Sequence, residues 1–172
     1  MTTTPTLPPS GLTVLSLPMS DPRVRPLLDE LAVEYEARYG DLFSSEGASE
    51  ELNRYPAEEF EAPHGALLII QENGESVAGG AFRRYSQDTA ELKRIWTHSA
   101  HRRRGLARLV LAELENEARR RGYAKLYLTT GPRQPEAKHL YLATGYQALF
   151  DLAADPEEIM HLAFTKDLAL PS

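Results

Sequence analysis

No cysteine occurs among the 172 residues. That excludes disulfides, thiolate zinc centres, iron–sulfur clusters and a cysteine nucleophile, so any sulfur chemistry must arrive on a ligand. No apolar run approaches the roughly 18 residues of a membrane-spanning helix, and the N-terminus lacks the basic and apolar regions of a secretory signal. The expectation is a cytoplasmic protein with no membrane partner. An excess of positive charge is missing as well: the formal net charge is −6, against the basic domain or stripe, interleaved with exposed aromatics, that nucleic-acid binders carry. Neither GxxxxGK[ST] nor GxGxxG is present, which removes the main support for a nucleoside triphosphate or a dinucleotide.

What is present is enough apolar material, 42% of residues, to bury one continuous core. Charge is uneven. Residues 1–90 hold six Lys/Arg against 15 Asp/Glu, net −9, and residues 91–172 hold 13 against ten, net +3, together returning −6. Such a split suits a C-terminal half that meets an anion and an N-terminal half that meets a cation, although solvated faces also produce it. Residues 1–11, rich in Thr and Pro, read as a flexible tail, and residues 12–172 as a single domain.

Alternation predicts a strand over Leu12–Leu17. Ser20, Asp21 and Pro22 open a helix whose apolar positions Val24, Leu27, Leu28, Leu31, Ala32 and Tyr35 carry it to about Tyr39. From Asp41 to Pro63 the chain is acidic and broken, with room for one short helix. Strands follow at Ala66–Gln71 and Ser76–Tyr85 around an Asn73-Gly74 hairpin turn, then at Thr89–His98, where Leu92, Arg94 and Trp96 alternate with Glu91, Lys93 and Ile95. Helices are predicted at Leu106–Arg121 and Pro135–Thr144, stopped by Gly122 and Gly145, with strands at Lys125–Thr129, Tyr146–Leu152 and Ile159–Thr165. The order dictates a mixed α/β fold, largely antiparallel, with at least one strand–helix–strand crossover.

The segment Arg102-Arg103-Arg104-Gly105-Leu106-Ala107 lies between a strand and an amphipathic helix. Arginines at a helix start oppose its dipole, so three of them imply a compensating anion beside the unpaired N–H groups there. Gly105 removes a side chain where a phosphate would approach, and the set fits a pyrophosphate. A basic surface loop before an ordinary helix is the alternative reading of these six residues alone.

Arg102-x-x-Gly105-x-Ala107 resembles the acyl-CoA signature of the GNAT acetyltransferase superfamily: Arg or Gln, two residues, Gly, one residue, then Gly or Ala. The resemblance extends from about Glu91 to Tyr146. It takes in Glu91-Leu92-Lys93-Arg94, the Leu109-to-Gly122 helix, Gln134-Pro135-Glu136-Ala137 and Leu140-Tyr141-x-x-x-Gly145-Tyr146, and Phe164 to Leu168 resembles the superfamily's last strand. Thr97 stands where Val is common, Ser99 where Pro is, Arg103 where Gly is, and Gln134 where Asn is.

The resemblance implies a mostly antiparallel twisted sheet of about seven strands flanked by about four helices, and an N-acetyltransferase that moves acetyl from acetyl-CoA to a primary amine. It assigns acetyl and pantetheine binding to the backbone of Ile95, Trp96 and Thr97, and pyrophosphate binding to Arg102, Arg103, Arg104, Gly105, Leu106 and Ala107. Gln134, Lys138 and Tyr141 lie near the cofactor's arm. A protonated amine needs a base, and Glu91 is the candidate; a strand glutamate paired with Arg94 or Lys93 is the competing reading. A backbone N–H near Trp96 or Thr97, at a β-bulge, holds the oxyanion, and Tyr141 protonates the departing thiolate.

No metal is expected, since His98 and His101 have no nearby third ligand. The acceptor is expected to be a small cationic amine, with a protein N-terminus or lysine, or a CoA-sensing module without turnover, as alternatives. A homodimer through the closing strands is also implied.

Overall fold

Ala66 to Ile70 is apolar at every position, which requires cover on both faces of the strand it forms. In the computed structural model, which describes residues 11–39, 56–132 and 134–168, this segment belongs to β2 (Ala66–Glu72) and is buried throughout. Leu67 and Ile69 join a core with Leu27, Leu31, Phe60 and Trp96. Ala66, Leu68 and Ile70 turn to the other face, into a larger core with Phe82, Leu92, Val110, Leu114, Leu126 and Phe164.

β1 (Leu12–Ser16) leads through a 3-10 turn to α1 (Arg25–Tyr39). That turn is capped by Asp21, whose carboxylate accepts from the Arg23 N–H at 2.9 Å. After a second 3-10 turn (Ala57–Phe60) come β2, β3 (Glu75–Arg84) and β4 (Thr89–Thr97). Asn73 and Gly74 both have positive φ, the geometry of a two-residue hairpin turn. α2 (Leu106–Arg120), β5 (Lys125–Thr130), α3 (Pro135–Ala143), β6 (Gln147–Ala148), α4 (Pro156–Ile159) and β7 (Leu162–Asp167) complete the described order. One seven-stranded sheet results, ordered β1-β2-β3-β4-β5-β7-β6. Every pairing is antiparallel except β4 with β5, so the expected mixed architecture is present with a strand–helix–strand crossover from β4 through α2 to β5. No described helix is long and apolar enough to cross a membrane.

Three expectations change. The strand predicted over Tyr146–Leu152 shortens to Gln147–Ala148, because Tyr146 is used to stop α3, donating its N–H to the Tyr141 carbonyl at 3.0 Å. Ile159 ends a helical turn instead of starting β7: Asp155 caps that turn at the Glu157 N–H, 3.0 Å away, with Pro156 in its first position. Leu92 and Trp96 do not share a face but lie in the two opposite cores, for a reason given below. The tail at residues 1–10 and most of the acidic stretch, residues 40–55, lie outside the described residues.

Candidate active site

β4 and β5 pair at Thr89–Lys125, Ala90–Leu126 and Glu91–Tyr127, and then part. β4 runs on to Thr97 and β5 to Thr130 with no pairing between them. Backbone groups on these facing edges therefore lack the ladder partners a sheet interior supplies, leaving a polar-walled opening in the middle of the sheet.

A bulge in β4 shapes one wall. Ala81 pairs with Lys93 and Gly79 with Trp96, so Gly80 stands opposite both Arg94 and Ile95. Arg94 takes a left-handed φ of 60°, a strained value for a residue with a side chain. The extra residue reverses the alternation and sends Trp96 to the α1 face.

It reverses the backbone as well. Before the bulge, the Tyr85 N–H donates to the Thr89 carbonyl at 2.9 Å, so odd-numbered residues of β4 present their groups to β3. After it, the His98 N–H donates to the Val77 carbonyl at 2.8 Å. The even residues now face β3, and the Thr97 N–H points into the opening.

Two glycines make room for this. A Cβ on Gly79 would lie 2.7 Å from the Leu68 carbonyl oxygen and 3.1 Å from a Leu27 methyl on α1. One on Gly80 would lie 2.8 Å from Ile95 and 2.9 Å from Leu114 on α2.

The basic loop follows β4 by way of a 3-10 turn (Ser99–His101). Residues 102–105 are exposed, and Leu106 is buried as the first residue of α2. Arg103 and Gly105 adopt φ of 65° and 76°, which explains why glycine is common at the first of these positions in the resembled signature. Gly105 is the N-cap of α2 and no side chain caps the helix there, while an added Cβ at Gly105 would meet nothing within 4 Å. Conformation, not crowding by protein, therefore demands this glycine.

The first N–H groups of α2 thus open onto free space beside positive charge, which fits a pyrophosphate. The arginines differ in freedom. Arg104 is bidentate to Glu72 at 3.1 and 2.5 Å and also meets His101 at 2.7 Å. Arg102 lies 3.8 Å from Glu34 of α1 and is half exposed.

α3 and the N-cap residue before it carry three of the sequence-derived candidates. Gln134 accepts from the Thr130 hydroxyl and the Gly131 N–H, both at 3.2 Å, tying the end of β5 to the start of α3. Lys138 turns toward the Phe150 ring, 5.9 Å from its centroid. Tyr141 is 6% exposed, its ring packed edge-on to Tyr146 at 5.7 Å and tilted against Phe164 at 5.5 Å. Burial, with Tyr35 of α1 adding to it, raises the Tyr141 phenol above its ordinary range and keeps it protonated.

Glu91 stands at the point where the strands part. It is 5% exposed, accepts from Arg83 at 2.8 Å and lies 3.6 Å from the Lys93 ammonium. Arg94, expected as a partner, packs instead over the Phe60 ring at 4.9 Å and donates to the Met19 sulfur. Arg83 also binds Glu59 at 2.7 Å, so one guanidinium joins two carboxylates. Among the described residues no group of three or more His, Asp or Glu side chains is placed to hold a metal.

Sequence reading did not single out Glu30. Its carboxylate accepts from the Trp96 indole at 2.9 Å, the Ser99 N–H at 3.0 Å and the Ser99 hydroxyl at 2.7 Å. Burial opposes ionisation, but these bonds from Ser99 and Trp96 outweigh it and hold the carboxyl below its ordinary range. No local signal marks a helix glutamate that caps a distant turn. The Gly79-Gly80 pair inside a strand did carry a readable signal, that of a bulge or a close backbone approach.

Comparison with known proteins places this geometry among relatives. The family model described as Acetyltransferase (GNAT) family matches residues 26–146. The uncharacterized N-acetyltransferase YsnE of Bacillus subtilis is 29% identical over 115 residues, spanning 64% of this chain and 76% of that protein. A solved structure of a proposed acyl-CoA N-acyltransferase from Klebsiella pneumoniae is similar with a TM-score of 0.70 at 26% identity, over 92% of this chain and 98% of that one. The fold is also that of the PaiA N-acetyltransferase from Thermoplasma acidophilum in complex with coenzyme A, with a TM-score of 0.69 at 13% identity over 91% and 98% of the two chains.

Proposed function

The chain belongs to the GNAT acetyltransferase family, and from that premise we propose that it moves an acetyl group from acetyl-CoA to the nitrogen of a small cationic primary amine. What supports this reading is the parting of β4 from β5, a start of α2 that no side chain caps, a Thr97 N–H turned away from β3 and a buried Tyr141 phenol. The coenzyme A bound by the Thermoplasma protein of the same fold supports acetyl-CoA as donor.

Arg102, Arg103 and the first turn of α2 would hold the pyrophosphate, and the open edge of β4 the pantetheine amides. Acetyl-CoA supplies a thioester carbon at which the new N–C bond forms as the C–S bond breaks and the thiolate leaves. The Thr97 N–H would stabilise the oxyanion. Tyr141, held protonated, would donate to the departing sulfur, and Glu91 would accept the amine proton at Oε2, the oxygen with the longer contact. Cationic acceptors are favoured by the net −9 of residues 1–90 and by Glu30, Glu34, Glu59 and Glu91 from α1, the turn before β2, and β4.

Thiol release from acetyl-CoA, followed across alkyl diamines, amino acids and peptides with mass spectrometry of the product, tests this directly. Diamines are expected to be acetylated at least about tenfold faster than peptides, measured by kcat/KM. Faster turnover of peptides would replace the small amine by a protein acceptor, and no acetylated product from any amine would overturn the reading.

A further inference from the structure

A bulge that turns one N–H toward the chemistry is useful only if it is held still, and the residues on either side of Thr97 are gripped from outside the sheet. Glu30 spans the site. Its Oε1 takes both the indole N–H of Trp96, at 2.9 Å, and the backbone N–H of Ser99, at 3.0 Å, and its Oε2 takes the Ser99 hydroxyl at 2.7 Å. One carboxylate thereby fixes the residue before Thr97 and the second residue after it.

The segment between is closed further by His98, whose Nδ1 accepts from the Ala100 N–H at 3.0 Å and whose ring lies edge-on to Trp96 at 5.9 Å. Arg94, at the bulge itself, is held through Met19 and Phe60. All these contacts come from the α1 side of the sheet, away from α2 and the basic loop's helix. Charge-assisted bonds to a carboxylate are among the stronger protein hydrogen bonds, and here they restrain a strand segment that no neighbour pairs on its open edge.

We propose that Glu30 is a positioning residue for acetyl transfer: through Trp96 and Ser99 it sets the orientation of the Thr97 N–H in the opening, and so governs turnover more than acetyl-CoA affinity. The inference rests on the acetyl-transfer reading above. An oxyanion donor acts only when it meets the charge that develops in the transition state, so misplacing it lowers kcat while the binding contacts of the cofactor's pyrophosphate end, on α2, stay intact.

The test compares Glu30→Ala, Glu30→Gln and Trp96→Phe by steady-state kinetics on the amine found for the wild type, at a temperature where circular dichroism shows each variant folded. Glu30→Ala is expected to lower kcat by roughly 10- to 100-fold with the KM for acetyl-CoA within about threefold of wild type. Glu30→Gln keeps an acceptor oxygen for Trp96 and the Ser99 N–H, and is expected to recover kcat to within about fivefold. Trp96→Phe removes the indole donor but keeps an aromatic ring, and should fall between the two.

An active wild type whose Glu30→Ala and Trp96→Phe variants retain kcat would overturn the inference alone. So would a rise in the KM for acetyl-CoA at unchanged kcat, which would make Glu30 a cofactor-binding residue. Failure of Glu30→Gln to recover turnover would also count against it. Loss of acetyl transfer in the wild type itself would fail the functional reading, and this inference with it.

Discussion

At the scale of single residues, the site divides into positions whose role is local and positions whose role comes from register. The basic loop is of the first kind. Arg103 and Gly105 have positive φ because the chain must turn sharply into α2, and a short signature records that need, which is why it was legible without a structure. Glu91 is of the second kind: its Arg83 partner is its cross-strand neighbour, and no sequence spacing announces it.

Two substitutions separate the proposed acid from the proposed base. Tyr141→Phe keeps the ring against Tyr146 and Phe164 and removes only the hydroxyl, so acetyl-CoA affinity should hold while turnover falls roughly 10- to 1,000-fold. Isothermal titration and initial rates check the two halves, and turnover within twofold of wild type would leave the thiolate to be protonated by solvent. Glu91→Gln should lower turnover chiefly below the amine's own pKa and recover as pH rises, because free amine needs no base. Equal loss at every pH would make Glu91 an anchor for Arg83 instead.

Among the elements, α2 is tied to the C-terminal half by one buried network. Glu115 accepts from the Tyr146 hydroxyl at 2.8 Å and from Lys166 of β7 at 3.1 and 3.2 Å, and Lys166 also donates to the Thr144 carbonyl at 2.8 Å just beyond the end of α3. These residues come from three separate stretches of chain, so their meeting was not readable in the sequence, whereas the apolar periodicity of α1, the capping residues and the Gly122 and Gly145 stops were. The short β6 and the helical turn at Pro156 were misread because a brief apolar run does not tell strand from turn until its neighbours are known.

Lys166→Met should remove about 2 to 3 kcal/mol of stability by stranding a buried carboxylate, the lower end of the usual range since the ammonium is partly exposed. Adding Glu115→Gln should restore most of it, because the remaining pair is neutral. Chemical denaturation of both variants measures this, and additive losses in the double variant would show that the two side chains act independently.

Over the whole molecule, the sheet is two antiparallel leaves, β1 to β4 and β5 with β7 and β6, joined by one short parallel ladder. A ligand reaching from the start of α2 to the open edge of β4 lies along that join and binds only the folded chain. Acetyl-CoA at millimolar concentration should therefore raise the melting temperature, while acetate or ATP leaves it unchanged. Gly105→Glu should abolish the shift by forcing a side chain and a negative charge onto a left-handed position at the helix start. A variant that still gains stability from acetyl-CoA would remove the loop from the binding site.

The succession of strands and helices along the chain was legible at this scale from periodicity and family signature together. The parting of β4 and β5 was not, because hydrophobic pattern records which face is buried and is silent about where pairing stops.

The bulge in β4 also has a genetic meaning. One added residue is an odd number, and in a strand an odd number exchanges inside for outside. Losing a single codon between Leu92 and Trp96 would remove the bulge, yet Trp96 would stay opposite Gly79 on the α1 face with the Thr97 N–H in the opening; straightening the strand with every residue kept is what would exchange them. Along this stretch the bulge absorbs one residue more than β3 can pair, and glycine in place of Arg94 should be tolerated well, because it takes the left-handed φ without strain.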